Sequence, residues 1–295
     1  MTEIVVGVDG SEQSATALRW AVAEARIRGS DVVALLAWDL FAQYHEDGSR
    51  RFDPDYDAGE AIVALRAFVV SSVGPEPAVT TVCRAVCDLP VPALLDASAG
   101  ADLLVVGARG LGGFGGLLLG SVSQQCLHHA RVPVAIVRSV DDRARRAGDG
   151  RIVVGVDGSA GSAAALSWAM AEGSARGATV EVVHAWEFPM AYGMPTGVVA
   201  VDPGAVDDAA RHLVDGMIAQ ASARPGTGDA TVERTVVCGT ATSALIDAAK
   251  AADLVVVGRR GLGSFGRLLL GSVSDQLARH APCPVVVLPV DEVDA

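Results

Sequence analysis

The octapeptide Ile4-Val-Val-Gly-Val-Asp-Gly-Ser11 returns unchanged as Ile152–Ser159, 148 residues later. Trp20, Glu24 and Trp38 recur as Trp168, Glu172 and Trp186 at the same offset. The segment Gly107–Ser123 recurs as Gly258–Ser274 at an offset of 151, identical at 14 of 17 positions, so about three residues are inserted midway through the second copy. Self-similarity at one long period predicts two units of one fold; a solenoid would need more and shorter repeats. Ser139-Val-Asp-Asp-Arg-Ala-Arg-Arg-Ala-Gly-Asp-Gly150 is charged and aperiodic, which reads as a linker. The domains are therefore read as 1–140 and 151–295, joined by 141–150.

Each copy alternates strand and helix signals. In the first, the apolar run Ile4–Val8 stops at Asp-Gly-Ser, and Ser11 can cap a helix whose apolar face is Leu18, Ala21, Val22 and Ala25 and which Gly29 ends. Val32–Trp38 reads as a strand, and the polar, turn-rich residues 39–59 as a long loop over the sheet edge. Helical patterns over 58–72 and 92–99 alternate with strands at 79–86 and 102–106; a glycine loop, a helix opened by Ser121 and a strand over 134–137 complete the unit. With 51% hydrophobic but only 4% aromatic residues, the cores must be mostly Val, Leu and Ala, the usage of parallel sheets covered on both faces. The fold class expected is α/β, two doubly wound, Rossmann-like parallel sheets. Right-handed crossovers put the turn after the first strand and the glycine loop after the fourth at one carboxyl edge, where such folds bind ligands.

The net charge of −12 argues against nonspecific nucleic-acid binding, which needs Lys and Arg to neutralise phosphates. It leaves room for one bound nucleotide, since local backbone dipoles act at closer range than a screened field. No apolar run approaches the roughly 20 residues of a membrane span, and the N-terminus enters a strand at once, so a soluble, cytoplasmic protein is expected. Five cysteines without metal-type spacing fit a reducing compartment. Cys83 and Cys87 on one strand would stand about 13 Å apart, beyond disulfide reach.

The glycine loop allows three readings. Gly110, Gly112 and Gly115 form G-x-G-x-x-G, but that dinucleotide fingerprint belongs after the first strand with an acidic residue about 20 positions on, where Val134 and Ala135 stand. Gly115–Ser121 and Gly266–Ser272 have the glycine spacing of a P-loop without its Lys. The spacing common to both copies is Gly-x2-Gly-x9-Gly-Ser: Gly107, Gly110, Gly120, Ser121, and Gly258, Gly261, Gly271, Ser272. Together with the strand-ending Asp9 and Asp157, this resembles the universal stress protein family, in its tandem-domain, ATP-binding branch. The resemblance covers nearly the whole chain and is weakest at 39–75 and 187–228.

The resemblance implies a site for ATP, with or without Mg, in each half. Gly107 and Gly110 would let ribose and phosphate approach the backbone. Gly120, Ser121, Val122 and Ser123 would offer helix N-terminal N–H groups to phosphate, with hydroxyl donors from Ser121 and Ser123. Asp9, in the turn with Gly10 and Ser11, would accept from adenine or ribose, and the backbone near Ala37 would read the adenine edge. Arg109 can pair with phosphate or be a solvated loop residue. The second half offers Asp157, Gly158, Ser159, Ala185, Gly258, Arg260, Gly261, Gly271, Ser272, Val273 and Ser274 in the same roles. A purely structural reading stays beside this one: the glycines as packing devices, Asp9 and Ser11 as a helix cap.

His129 and His280 match between the copies and read as helix-end residues that complement the dipole. Neither motif supplies a Lys, a Walker-B acid or a nucleophile, so a nucleotide-dependent regulator of stress response or growth is expected rather than an enzyme. Weak ATP hydrolysis and a nucleotide-independent assembly module remain the alternatives. The apolar strands Val134–Val137 and Val285–Leu288 suit pairing between halves; the resemblance implies that such strands join the two domains into an intramolecular pseudo-dimer, and further implies a homodimer through these terminal strands. The partners expected are ATP or another adenine nucleotide, with neither nucleic acid nor membrane.

Overall fold

The computed structural model describes residues 2–110, 118–138, 150–187, 202–262 and 270–289. The linker 141–149 and Gly112, Gly115, Gly266, Met190, Tyr192 and Met194 lie outside these residues. The first half runs β1 (Glu3–Val8), α1 (Glu12–Arg28), β2 (Asp31–Trp38), α2 (Ala58–Val73), β3 (Thr81–Cys87), α3 (Pro90–Ala97), β4 (Leu103–Gly107), α4 (Ser121–His129) and β5 (Val134–Val137). The second runs β6 (Arg151–Gly155), α5 (Ala160–Arg176), β7 (Thr179–Trp186), α6 (Pro203–Ser222), β8 (Thr231–Cys238), α7 (Ala241–Ala249), β9 (Leu254–Gly258), α8 (Ser272–His280) and β10 (Val285–Leu288). Helix α3 begins two residues earlier than its periodicity suggests, because Pro90, which has no N–H to satisfy, takes the first turn.

All the described strands join one ten-stranded sheet ordered β3-β2-β1-β4-β5-β10-β9-β6-β7-β8. Pairing is parallel within each half and antiparallel where β5 meets β10, with Val134 opposite Val287 and Ile136 opposite Val285. Side chains alternate between two cores: Ile4, Val6 and Val8 face the layer of α1 and α2, whereas Val5 faces that of α3 and α4. Both β5 and β10 are buried throughout, and each has a partner on either side. This is the expected pairing between the halves, and it leaves the terminal strands no edge through which a homodimer could pair. Pairing within the chain occupies both edges of both strands, and the sheet's open edges are β3 and β8.

A second seam joins the halves beside these strands. Glu24 and Glu172, 2% and 5% exposed, lie among Arg28 and Arg176. Arg28 reaches Glu24 at 2.7 Å and Glu172 at 2.8 Å; Arg176 reaches Glu172 at 2.7 Å and also pairs with Glu24. Burial pushes the Glu24 carboxyl upward, but Arg176 and Arg28 outweigh it and hold it below the usual carboxylate range. Burial and the neighbouring Glu24 charge hold Glu172 above that range. Two further arginines reach across: Arg259 donates to the carbonyls of His128 at 3.1 Å and Ala130 at 3.0 Å, and Arg138 to that of Ala278. Each serves the carbonyl end of a helix in the other half, where cations are favoured. Cys83 and Cys87 both lie on β3, and every cysteine is a free thiol. No described helix is long and apolar enough to cross a membrane.

Candidate nucleotide site

In the second half, β6 delivers Asp157 to a tight turn. Gly158 adopts φ 89°, which a side chain would strain, and Ser159 caps α5 by accepting from the Ser162 N–H at 3.1 Å. One Asp157 oxygen accepts from the Ser159 N–H at 3.0 Å and from its hydroxyl at 2.6 Å; the other accepts from the Leu262 N–H at 2.8 Å. Asp157 thus ties the turn to the glycine loop. Burial pushes its carboxyl upward, but the Ser159 hydroxyl and the Ser159 and Leu262 N–H groups outweigh this and hold it below the usual range.

The glycines answer to close approach inside the protein. A Cβ on Gly261 would stand 2.2 Å from Asp157 Oδ2, and one on Gly110 2.4 Å from Asp9 Oδ2. A Cβ on Gly258 would meet the Gly161 backbone at 2.8 Å, and one on Gly107 the Gln13 carbonyl oxygen at 3.1 Å. These first glycines seat the strand end against the adjoining helix. Gly120 and Gly271 are the N-caps of α4 and α8, and glycine brings no side chain to either cap. Ser123 and Ser274, expected to offer hydroxyls to a ligand, instead donate them to the Gly107 carbonyl at 2.7 Å and the Gly258 carbonyl at 3.0 Å. They pin the glycine loop to its helix.

These parts enclose a cavity of about 260 Å³. Of the expected residues, Asp157, Ala185, Gly258, Arg260, Gly261, Gly271, Ser272, Val273 and Ser274 line it. Gly158 and Ser159 stand outside, serving the turn and the cap. The apolar floor of Val183, Leu245 and Val257, with Ser162 beside it, is missed by motif reading. One signal was available: Gly7 and Gly155 interrupt otherwise β-branched strands, and an internal strand glycine marks close approach. A Cβ on Gly155 would meet Leu245 at 2.8 Å, and one on Gly7 would meet Leu94 at 3.2 Å.

The first half repeats this frame. Asp9 accepts from the Ser11 N–H at 3.0 Å, Ser11 caps α1, Ala37 lies near the end of β2, and Gly120–Ser123 open α4. Arg109 is exposed, and its N–H donates to the Gln13 side chain at 2.7 Å. The mouth differs. Residues 39–57 form a packed loop: Gln43 both donates to and accepts from the Asp53 backbone, and the Tyr56 hydroxyl donates to the Tyr44 carbonyl at 2.6 Å. This loop carries Tyr44 onto Gly10, where a Cβ would stand 2.2 Å from its ring. It therefore covers the Asp9 turn rather than only a sheet edge. Among the described residues no group of His, Cys, Asp and Glu could hold a metal ion.

Comparison with known proteins fits this architecture. The model of the universal stress protein family matches residues 1–138 and again 150–289. A universal stress protein of Mycolicibacterium smegmatis is 32% identical over 302 residues, covering 97% of this chain and 96% of the relative. One from Mycobacterium tuberculosis is 32% identical over 291 residues, covering 96% and 95%. A solved universal stress protein from Archaeoglobus fulgidus shares the fold with TM-score 0.65 at 21% identity, covering 97% of this chain and 98% of that one. The chain belongs to the universal stress protein family, with two such domains in tandem.

Proposed function

We infer that the second-half crevice binds an adenine nucleotide, ATP foremost, and that the protein acts as a nucleotide-dependent regulator. One observation carries this reading: a single cavity unites an aspartate, an apolar wall ending at Ala185, and the start of a helix whose N-cap is a glycine. Such a helix start is favourable for phosphate, because its first N–H groups lack partners and its dipole is positive there. The wall of Val183, Ala185, Leu245 and Val257 suits a flat base, and Asp157 can accept from a ribose hydroxyl or the adenine amine. The volume lies just below the roughly 300–1,000 Å³ of small-molecule pockets, a size for the nucleoside moiety alone.

Binding without efficient cleavage agrees with the lining. Among the described residues it contains one cation, Arg260, and one carboxylate, Asp157, which already accepts from the Ser159 and Leu262 N–H groups. Phosphoryl transfer needs charge neutralisation and an oriented nucleophile. Any Mg²⁺ would arrive on the phosphates and keep several waters. The Asp9→Ala/Asp157→Ala double variant is expected to weaken ATP retention by about 10–100-fold, the loss of a hydrogen bond to a charged group at each site. Circular dichroism should stay unchanged. Wild-type ATP affinity in that variant would sink the assignment.

A further inference from the structure

The seam between the halves encloses a second cavity, of about 210 Å³, that shares no residue with the nucleotide crevice. It lies where the chain enters β9 and β10, beside Asp253 and Pro282–Pro284, at the opposite edge of the sheet from the glycine loop. The first half contributes Trp20 and Ala23 from α1 and Arg138 from the end of β5.

Duplication gives the molecule two versions of this seam, and they differ. Around Trp168, the Arg28 guanidinium lies 4.8 Å from the ring centroid and fills the place beside it. Trp20 is the counterpart of Trp168 and Arg176 that of Arg28, yet among the described residues no cation covers Trp20; its side borders the cavity instead.

The charges lining the cavity are satisfied, with one exception. Glu24 and Arg176 belong to the buried quartet, Lys250 pairs with Asp247 at 2.6 Å, and Asp253 accepts from the Arg151 N–H at 3.0 Å. Arg138 donates one terminal N–H to the Ala278 carbonyl, but its Nε is buried with no hydrogen-bond partner among the described residues. No carboxylate lies within ion-pair distance of it among the described residues, and its charged neighbours Arg109 and Arg279 are cations. Desolvating a cation without an anion is unfavourable, and an anion that pairs with it relieves that cost.

We propose that this cavity is a second ligand site, for a small organic anion built on one flat ring: its carboxylate pairs with Arg138 and its ring lies against Trp20. An engineered cavity of about 150 Å³ admits benzene, so the volume suits one substituted ring. Arg is suited to such a ligand because its planar fork meets a carboxylate with two parallel hydrogen bonds. A ligand held there touches both halves and would stabilise their association.

The test uses the full chain, with benzoate as the probe and benzamide as its uncharged isostere, followed by calorimetry and by melting temperature. Benzoate is expected to bind saturably at one per chain, and benzamide at least about tenfold more weakly, a difference of one charge-assisted contact. Arg138→Gln should remove that preference while ATP binding, which uses other residues, stays at its wild-type level and reports an intact fold. Ala23→Phe, which fills the cavity and leaves Arg138 in place, should abolish binding of both probes. Equal affinity of the native chain for the two probes, a preference for benzoate retained in Arg138→Gln, benzoate binding retained in Ala23→Phe, or no saturable binding at millimolar benzoate would each overturn the proposal.

Discussion

Glu24→Ala is expected to destabilise the folded chain by about 3–5 kcal/mol, the cost of breaking a buried ion pair from one side. Glu24 is 2% exposed and accepts from arginines of both halves, so its removal leaves Arg28 and Arg176 with one carboxylate between them. Replacing all four members by apolar residues should cost far less, because no charge is then left stranded. The two carboxylates also differ in sign. Glu24 is held below its usual range, so the stability it contributes is present above the unfolded carboxylate value and lost as pH falls through its lower folded value. Glu172 is held above its usual range, so ionising it opposes folding at neutral pH and protonation relieves that cost. Glu172→Gln should therefore be tolerated better than Glu24→Gln. Urea unfolding of wild type and the four variants at pH 7 measures this; a Glu24→Ala variant within about 0.5 kcal/mol of wild type, the ordinary range for surface substitutions, would contradict the role given to the quartet.

Gly261→Ala is expected to weaken nucleotide binding in the second half by about 10²-fold, comparable to losing an oriented, charge-assisted contact. The added methyl would fall 2.2 Å from Asp157 Oδ2, so either the carboxylate swings away or the loop lifts. Either movement breaks the 2.8 Å bond from the Leu262 N–H and reshapes the cavity wall. Gly110→Ala, with 2.4 Å to Asp9 Oδ2, makes the same test in the first half. Neither position lies in a helix or strand, so global stability should move little. Equilibrium dialysis with labelled ATP, on each single variant and on the pair, assigns bound nucleotide to each half. Unchanged retention by the pair would show that the aspartate–glycine contact does not shape the site.

Local features were read well from sequence. The Asp-Gly-Ser turns need a glycine at positive φ and a hydroxyl cap, and both demands are met within a few residues. Duplication gave every motif a second witness, which separated the shared glycine spacing from the accidental G-x-G-x-x-G. Distant contacts were not legible in this way. The Glu24 and Glu172 match was visible, but their arginine partners come partly from the other half, more than a hundred residues away. Ser123 and Ser274 looked like ligand donors because a serine hydroxyl at a helix start can face either the ligand or the preceding loop, and only packing decides. The apolar strands β5 and β10 were expected to pair between the halves and do so; what sequence could not fix is that this pairing leaves neither strand an edge for a second chain. Residues 39–57 showed turn chemistry but no period, so Tyr44 over Gly10 could not be foreseen.

An adenine nucleotide held by the Asp157 crevice should stay with the native protein through purification. The chain would be purified without added nucleotide and denatured, and the released small molecules identified and counted against protein. ATP or ADP is expected, with at least one molecule per chain that is missing from the Asp157→Ala variant. A protein that releases none, and takes up none when ATP is added, would contradict it.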